Sequence, residues 1–521
     1  MKSWRPGRDR RAVRHPGPSG LPRPAEVRRV VVVGGGIAGL AAAVALAERG
    51  VAVELVERRA QFGGRVRSWP VGDGRTMSRG FHAFFRQYYT LRALLRRADP
   101  ELSALRPVTD YPLRAVFDDG TELSDSFAAI PRTPPWSILG FVATSPSFPI
   151  RALAGVDVPA ALRLVSTDFP RTFTEFDGCS AADFLDRLGF PDTARHLALE
   201  VFARSFFADP REFSAGELVA MFHSYFTGSA EGLLFDVPVD DYDTVLWAPL
   251  ADHLVRLGAR LHPGVSVTGI ELGAGDSVVH TDTGSLPCDA VVLATDPATT
   301  RELVAGLRRT PAGAEPDAAW QDWRQRIAGL RSAPPFAVHR LWLADRVSGE
   351  RPAFLGTSGF GPLDNISVLE RFEDTARSWA ERTGGSVVEL HAYAVDRTYA
   401  EGGLRDDLRE QLDRVCPELR GVATVAEEWL VADDCGLVGT EPWAERPGVV
   451  TPDPRLVLAG DTLRCDWPVA LMERAAVTGF QAANRLLAGW QVAGHDLWTV
   501  PLRGLLPASR RPGSQPSVRS A

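Results

Sequence analysis

The stretch VRRVVVVGGGIAGLAAAVALAERGVAVELVER, residues 27–58, decides the fold. Val30 to Val33 have the apolar run of a strand buried on both faces, and three consecutive glycines then break it. Gly34, Gly36 and Gly39 fit G-x-G-x-x-G, with Ile37 and Ala38 opening a helix of small residues expected to reach Arg49, and with Gly50 as its stop. A second strand, 51–56, ends at Glu57, twenty-three residues after Gly34. The spacing has a physical reason. Gly34 permits a tight turn, Gly36 lets backbone approach a pyrophosphate, and Gly39 brings helix onto strand; the helix N-terminus favours phosphate, and Glu57 can accept from ribose hydroxyls. The pattern predicts a dinucleotide-binding α/β unit, for FAD, NAD or S-adenosylmethionine, with plain adenosine preferred because Glu57 repels a 2′-phosphate.

The remaining composition narrows the class without naming the function. The chain has 521 residues, 45% hydrophobic and 24% charged, the profile of a globular protein of two or three domains. Its five cysteines are scattered and never form C-x-x-C, which argues against a disulfide framework or a metal ribbon and for a reducing, cytoplasmic setting; no metal site is expected. Residues 1–29 carry +7 and residues 503–521 carry +4 against a total of −7, which leaves −18 on the body. So acidic a body argues against nucleic acid as partner. The basic ends, 1–26 and 503–521, are expected to be disordered tails, with a weak attraction to anionic membrane surfaces as the sharper alternative. The uncharged window 30–47 is strand, turn and helix rather than a membrane span, and the window 133–150 is interrupted by four prolines.

Just beyond the ribose acid, Glu57-Arg58 and Gly63-Gly64-Arg65 complete a pattern E-R-x-x-x-x-G-G-R. It resembles the extended fingerprint of the amine-oxidase/phytoene-desaturase superfamily of FAD enzymes. Downstream stretches follow in that family's order. The segment 264–272 resembles the strand whose Val267 backbone meets adenine, and 289–296 the strand and turn closing the FAD domain. RLVLAGD (455–461) resembles the strand whose terminal Gly-Asp, here Gly460 and Asp461, the family places at the ribitol and pyrophosphate linkage, and 467–483, with Met472 near its start, resembles the helix whose N-terminus faces the flavin. The resemblance implies FAD as cofactor, and no second G-x-G-x-x-G suggests a separate NAD domain, so oxygen, a quinone or another carrier must reoxidise the flavin.

Amine oxidases of this superfamily place a lysine against the flavin, whereas the only lysine here is Lys2; the other basic residues are arginines. The branch acting on apolar polyenes remains. Residues 77–97 (MSRGFHAFFRQYYTLRALLRR) and 363–372 (LDNISVLERF) resemble the bacterial β-carotene desaturase/methyltransferases, the isorenieratene synthases. That resemblance implies oxidation of a β-ionone ring to a trimethylphenyl ring: hydride leaves an allylic carbon, a methyl group shifts within the ring, a base takes a proton, and a second oxidation completes aromaticity. The methyl shift is intramolecular and needs no S-adenosylmethionine. An open-chain carotene desaturase or isomerase is the nearer alternative and a flavin amine oxidase the more distant one. His82, Asp240 and Asp241 are the candidate catalytic residues, as base or cation-stabilising groups, although the turn preference of aspartate offers a capping role for the two acids.

The expected architecture is a Rossmann-like FAD-binding domain (27–105, 245–300 and 450–490) interleaved with an α+β substrate domain (106–244 and 301–449). Ser180 with Asp183 and Ser214 with Glu217 read as helix-start capping pairs. The phenylalanine-rich stretches 197–207 and 218–226 read as core with some tunnel lining, and 336–344 and 387–394 as strands of an antiparallel sheet. The aromatic window 136–150, with arginines on either side, is the expected interfacial contact of a peripherally membrane-associated enzyme.

Overall fold

The computed structural model describes residues 9, 11–128, 130–148, 155–194, 207–273, 275–310 and 318–507. At its centre the fingerprint folds as read. Strand Arg29–Val33 pairs in parallel with Ala52–Glu57 on one side and Ala290–Leu293 on the other. Arg260–Pro263 and Leu456–Leu458 extend the sheet to five parallel strands. Between the first two strands the helix Ile37–Ala47 is buried along its whole length, because its alanines leave no bulk to hold it off the sheet. It stops two residues short of Arg49, and Gly50 takes φ +77° in the turn that follows.

The long helix Leu471–Gly489 packs lengthwise on Ile37–Ala47. Gly479 makes this possible: a Cβ there would sit 2.3 Å from the Ala38 carbonyl oxygen and 2.8 Å from the Ala41 Cβ. This helix begins at Leu471 rather than near Trp467, since Pro468 and the extended Ala470 precede it.

A seven-stranded sheet forms the second layer, in the order Thr424–Ala432, Phe336–Leu343, Ser386–Ala392, Asn365–Val368, Phe354–Ser358, Leu113–Val116 and Glu122–Asp125. All its pairings are antiparallel except that of Phe354–Ser358 with Leu113–Val116. A smaller sheet joins Phe84–Phe85, Phe235–Pro238 and Leu105–Pro107, and so ties the aromatic loop after Gly80 to the 235–243 segment. Val267–Leu272 lies in a separate four-stranded sheet.

Two expectations change. Residues 11–26 are not a free tail: Val13–His15 pairs with Leu497–Thr499, Leu21 bridges Val492, and Asp9 accepts from the Ala230 N–H at 3.0 Å. Arg14 pairs with Asp496 at 2.5 Å and Arg11 donates to the Thr227 carbonyl at 2.8 Å, so this basic stretch is held on the protein by its own side chains. Ser180 and Asp183 form the expected reciprocal box, but Glu217 does not; only the Ser214 hydroxyl caps, and the Glu217 carboxylate turns inward between Arg474 and Arg446. The window 136–150 contains a helix, Trp136–Thr144, with Phe141 buried and Trp136 and Leu139 exposed. Most of 197–207, and residues 1–8 and 508–521, lie outside the described residues.

Gly479→Ala is expected to lower stability by about 1–3 kcal/mol, since a rigid backbone oxygen lies where the methyl group must go. Denaturant unfolding followed by circular dichroism measures it, and an unchanged midpoint would show that the two helices can separate without cost.

Candidate active site

The two glycine turns meet at the mouth of the parallel sheet. Gly34 takes φ +102°, and Gly39 lies so close that a Cβ would stand 1.9 Å from the Gly34 carbonyl oxygen. Opposite them Gly63 and Gly64 both take positive φ. Gly36 bridges Gly63, and a Cβ on Gly64 would stand 3.0 Å from the Gly36 Cα. A side chain on Gly64 would press into this gap, and one on Gly63 would strike Trp247. Behind the second turn the fully buried Trp247 donates from Nε1 to the Val66 carbonyl at 2.5 Å. Glu57 is buried at the tip of its strand, where its carboxylate accepts from the Gly35 N–H at 2.7 Å and the Arg59 N–H at 2.8 Å.

A cavity of about 530 Å3 opens from this cradle. Of the residues named from the sequence, Gly34, Gly36, Ile37, Ala38, Glu57, Arg58, Gly63, Gly64, Arg65, Val267, Gly460, Asp461 and Met472 all line it. Gly39 does not, and serves helix packing instead. Arg65 pairs with Asp461. Burial opposes the Arg65 charge, but Asp461 and its neighbours outweigh it and carry the pKa above the ordinary arginine value. Arg67 is pushed down to about 10, chiefly by burial and then by Arg79 and Arg59. Arg79, paired with Asp434, keeps its buried Nε without a partner. A glycine cradle at a helix start, an acid at the strand tip, and Arg67, which has no carboxylate of the described residues within salt-bridge distance, fit a dinucleotide with its pyrophosphate.

The same cavity continues between aromatic rings. Phe81 lies 4.7 Å from Phe354, Tyr111 is 4.8 Å from Phe235, and Phe85 is 5.3 Å from Phe235, centroid to centroid. His82 faces it. Its Nδ1 lies 2.7 Å from the Gly80 carbonyl, which can only accept, so Nδ1 carries the hydrogen and Nε2 keeps its lone pair. Burial pushes the imidazole down to about 4, so the ring is neutral at ordinary pH.

Asp240 and Asp241 do not line the cavity. Asp241 accepts from the Ser68 hydroxyl at 2.7 Å and from the Asp243 and Thr244 N–H groups at 3.1 Å, and Asp240 accepts from the Thr375 hydroxyl at 2.9 Å. They are turn and capping acids, as their local N–H donors require. The residue their loop sends to the site is Tyr242, whose hydroxyl donates to Gly80 O at 2.8 Å and accepts from the His82 N–H at 3.1 Å.

A fold, a cradle and a cavity of this kind match a known family. The model of the flavin-containing amine oxidoreductases matches residues 37–487. The chain belongs to that family. It is 51% identical over 519 residues to the carotenoid phi-ring synthase of Streptomyces griseus, with 98% of each chain covered. It is 26% identical to the carotenoid phi-ring synthase of Chlorobaculum tepidum, over 92% of this chain and 91% of the other. Among solved structures, cyclohexylamine oxidase from Brevibacterium oxydans superposes with a TM-score of 0.63 at 15% identity, over 89% of this chain and 99% of that one, a likeness of fold. This member of the family is an FAD-dependent oxidoreductase.

The structure also brings forward residues that the sequence reading passed over. Glu389, His391 and Tyr393 come from Ser386–Ala392 and its continuation, and His391 and Tyr393 line the cavity with Asn365 and Asp364. Glu217 clamps Arg474, at the start of the flavin-family helix, to Arg446. One residue earlier Glu473 accepts from the N–H groups of Thr90 at 2.8 Å and Leu91 at 2.9 Å, fixing the helix after the aromatic loop.

Burial pushes the Glu473 carboxyl up to about 8, against the pull of those two donors. A carboxyl raised on folding holds its proton more tightly in the folded state. Its contribution is complete below about 4.5 and is lost as pH rises through 8. The melting temperature of the wild type minus that of Glu473→Gln is therefore expected to fall across this window; a constant difference would place the ionisation at its ordinary value.

Proposed function

We propose that this enzyme converts the β-ionone end rings of β-carotene to aromatic rings by desaturation with intramolecular migration of a ring methyl group. The observation that carries the reading is the cavity itself: one space that joins a dinucleotide cradle to a chamber of phenylalanine and tyrosine rings, with a neutral imidazole in its wall. The full-length similarity to a phi-ring synthase supports it, as does a chain whose only lysine is Lys2, far in sequence from every cavity residue.

On this reading Gly36, Ile37 and Ala38 receive the pyrophosphate at the helix start, Glu57 the adenosine ribose, and the Val267 backbone the adenine. Gly34, Gly63 and Gly64 keep the approach clear, Arg58 and Arg65 balance charge, and Gly460, Asp461 and Met472 border the flavin end. FAD, when bound, supplies two-electron oxidation at an allylic ring carbon. The chain's own part is to hold the ring, exclude water and remove protons. Aromatic faces along the chamber stabilise the positive charge that develops on the polyene without trapping it. His82, with its hydrogen fixed on Nδ1, presents Nε2 as a proton acceptor.

Delivery of so apolar a substrate suits a protein that rests on a membrane. No helix among the described residues is long and apolar enough to cross one. Trp136 and Leu139 on one helix and Val158 and Leu162 on another expose between 46% and 62% of their surface, and such apolar side chains beside arginines suit the lipid interface. Quinone within that membrane, or oxygen, is the proposed electron acceptor.

Purified enzyme in liposomes carrying β-carotene tests the reading. Mass spectrometry should show products that lose hydrogen with carbon number unchanged; unchanged β-carotene, or activity confined to open-chain carotenes, would overturn it. His82→Gln is expected to lower aromatisation by about 100-fold or more with FAD retained. Asp241→Asn, which keeps the caps, should leave the rate near wild type.

A further inference from the structure

Aromatising one β-ionone ring removes two hydride equivalents and two protons, and the protons leave different ring carbons. His82 accounts for one acceptor. The cavity wall holds a second polar device on the strand Ser386–Ala392 and the residues that follow it.

Glu389 is fully buried and paired with Arg340, whose Nη2 stands 2.7 Å from Oε2. Its other oxygen lies 2.8 Å from Nε2 of His391. Nδ1 of His391 is 2.7 Å from the Tyr393 hydroxyl, which also accepts from Asn365 Nδ2 at 3.0 Å. Tyr393 packs edge-on against Phe207, and it lines the cavity. Two groups compete for Nε2, because the Phe81 N–H also points to it at 3.2 Å. The carboxylate decides the competition. Burial works against the Glu389 charge, but Arg340 and His391 hold its carboxyl down to about 2, so it is an acceptor only. Facing the carboxylate, Nε2 carries the hydrogen, which leaves Nδ1 to accept from the Tyr393 hydroxyl. The result is a directed chain from phenol to imidazole to carboxylate. Other charged or titratable groups around it are Arg340 and Glu373 behind Glu389, Tyr242 near Glu389, Asp364 at the Tyr393 N–H, Cys435 near Tyr393, and His82 across the Gly80–Phe81 loop.

We propose that Tyr393 is the second proton acceptor of the ring oxidation, with His391 and Glu389 as the residues that position and discharge it. This rests on the ring-aromatisation reading above. In the step, a ring C–H proton moves to the phenolic oxygen as the phenolic hydrogen moves to Nδ1. The C–H electron pair stays on the ring as the new double bond, and the imidazolium is held against the Glu389 carboxylate until its proton passes to water. The oxidant for the accompanying hydride loss is the flavin already assigned. His82 and His391 grip opposite faces of one loop, His82 through the Gly80 carbonyl and His391 beside the Phe81 N–H. Gly80, at φ +99° with His391 Cε1 only 2.6 Å from where a Cβ would stand, lets the loop pass between them.

The experiment compares wild type, Tyr393→Phe, His391→Gln, their double variant and His82→Gln, each as FAD-loaded full-length enzyme on β-carotene liposomes, with flavin absorbance and melting temperature recorded. Tyr393→Phe and His391→Gln should each lose about 100-fold or more in aromatic product with flavin retained. Because the residues act as one unit, the double variant should be no slower than the slower single one. Tyr393→Phe and His82→Gln should arrest the ring at different hydrogen counts, a readout that a packing role would not produce. Near-wild-type product from Tyr393→Phe, additive losses in the double variant, or identical arrest products from the two sites would overturn the proposal. Should Tyr393→Phe lose its flavin, His391→Gln decides by the same losses or by unimpaired turnover. If the wild type leaves β-carotene unchanged, the aromatisation reading falls and takes this proposal with it; if the wild type aromatises and Tyr393→Phe does so equally, the relay alone falls.

Discussion

The site depends on two backbone turns lying closer together than side chains allow. Gly36 and Gly64 face each other, a Cβ on Gly64 would stand 3.0 Å from the Gly36 Cα, and both turns need positive φ, at Gly34 and at Gly63 and Gly64. Much of the surrounding sequence serves that approach. Glu57 binds the Gly35 and Arg59 N–H groups and so joins the strand tip to both turns. Trp247, from the segment leading into the next helix, closes the back of the second turn. Because Glu57 spends one lone pair of each oxygen on backbone, it is held rigid and keeps capacity for a ligand hydroxyl.

The far side of the cavity rests on a different constraint, the burial of charge. Arg340 stands on Phe336–Leu343, second from the edge of the seven-stranded sheet, fully buried, with Glu389 across the strand pair and Glu373 3.5 Å away. Glu389 accepts strong bonds and stays ionised. Burial pushes Glu373 up to about 7, and its Oε2 has no hydrogen-bond partner. Glu389, on the strand, is held down by the guanidinium it meets closely, whereas Glu373, just before the helix Asp374–Thr383, is pushed up chiefly by burial. Glu389, 2.8 Å from Nε2 of His391, turns the other ring nitrogen, Nδ1, to the Tyr393 hydroxyl.

The parallel sheet was legible because its signals are local. A valine run, a glycine period and an acid at the right distance specify strand, turn and strand without help from the rest of the chain, and Arg455 to Asp461 carries the same signal in miniature. The aromatic loop around His82 was legible for a similar reason. Asp240 and Asp241 were not, because an aspartate that caps a turn and one that faces a substrate look alike until the N–H groups around them are placed. Their neighbour Tyr242 reaches the loop from 160 residues away in sequence, which no local pattern announces. The N-terminal segment misled in the opposite sense: its composition suits a solvated tail, but its partners lie at the other end of the chain, at Leu497–Thr499.

The Glu389, His391 and Tyr393 alternation did leave a trace. In SVVELHAYA three ionisable residues recur at every second position between valine, leucine and alanine. In a strand, that period puts all three on one face. A strand this apolar belongs in a core, where isolated ionisable groups are costly unless they pair with one another. Read that way, the segment predicts a polar network inside the protein rather than a solvent face. What sequence withholds is the partner, since Arg340 lies on the neighbouring strand and only the register, which sets Arg340 opposite Glu389, brings the charge to the line. The general rule is that a buried strand with an ionisable residue at alternate positions marks the wall of a site, and its register names the counter-charge.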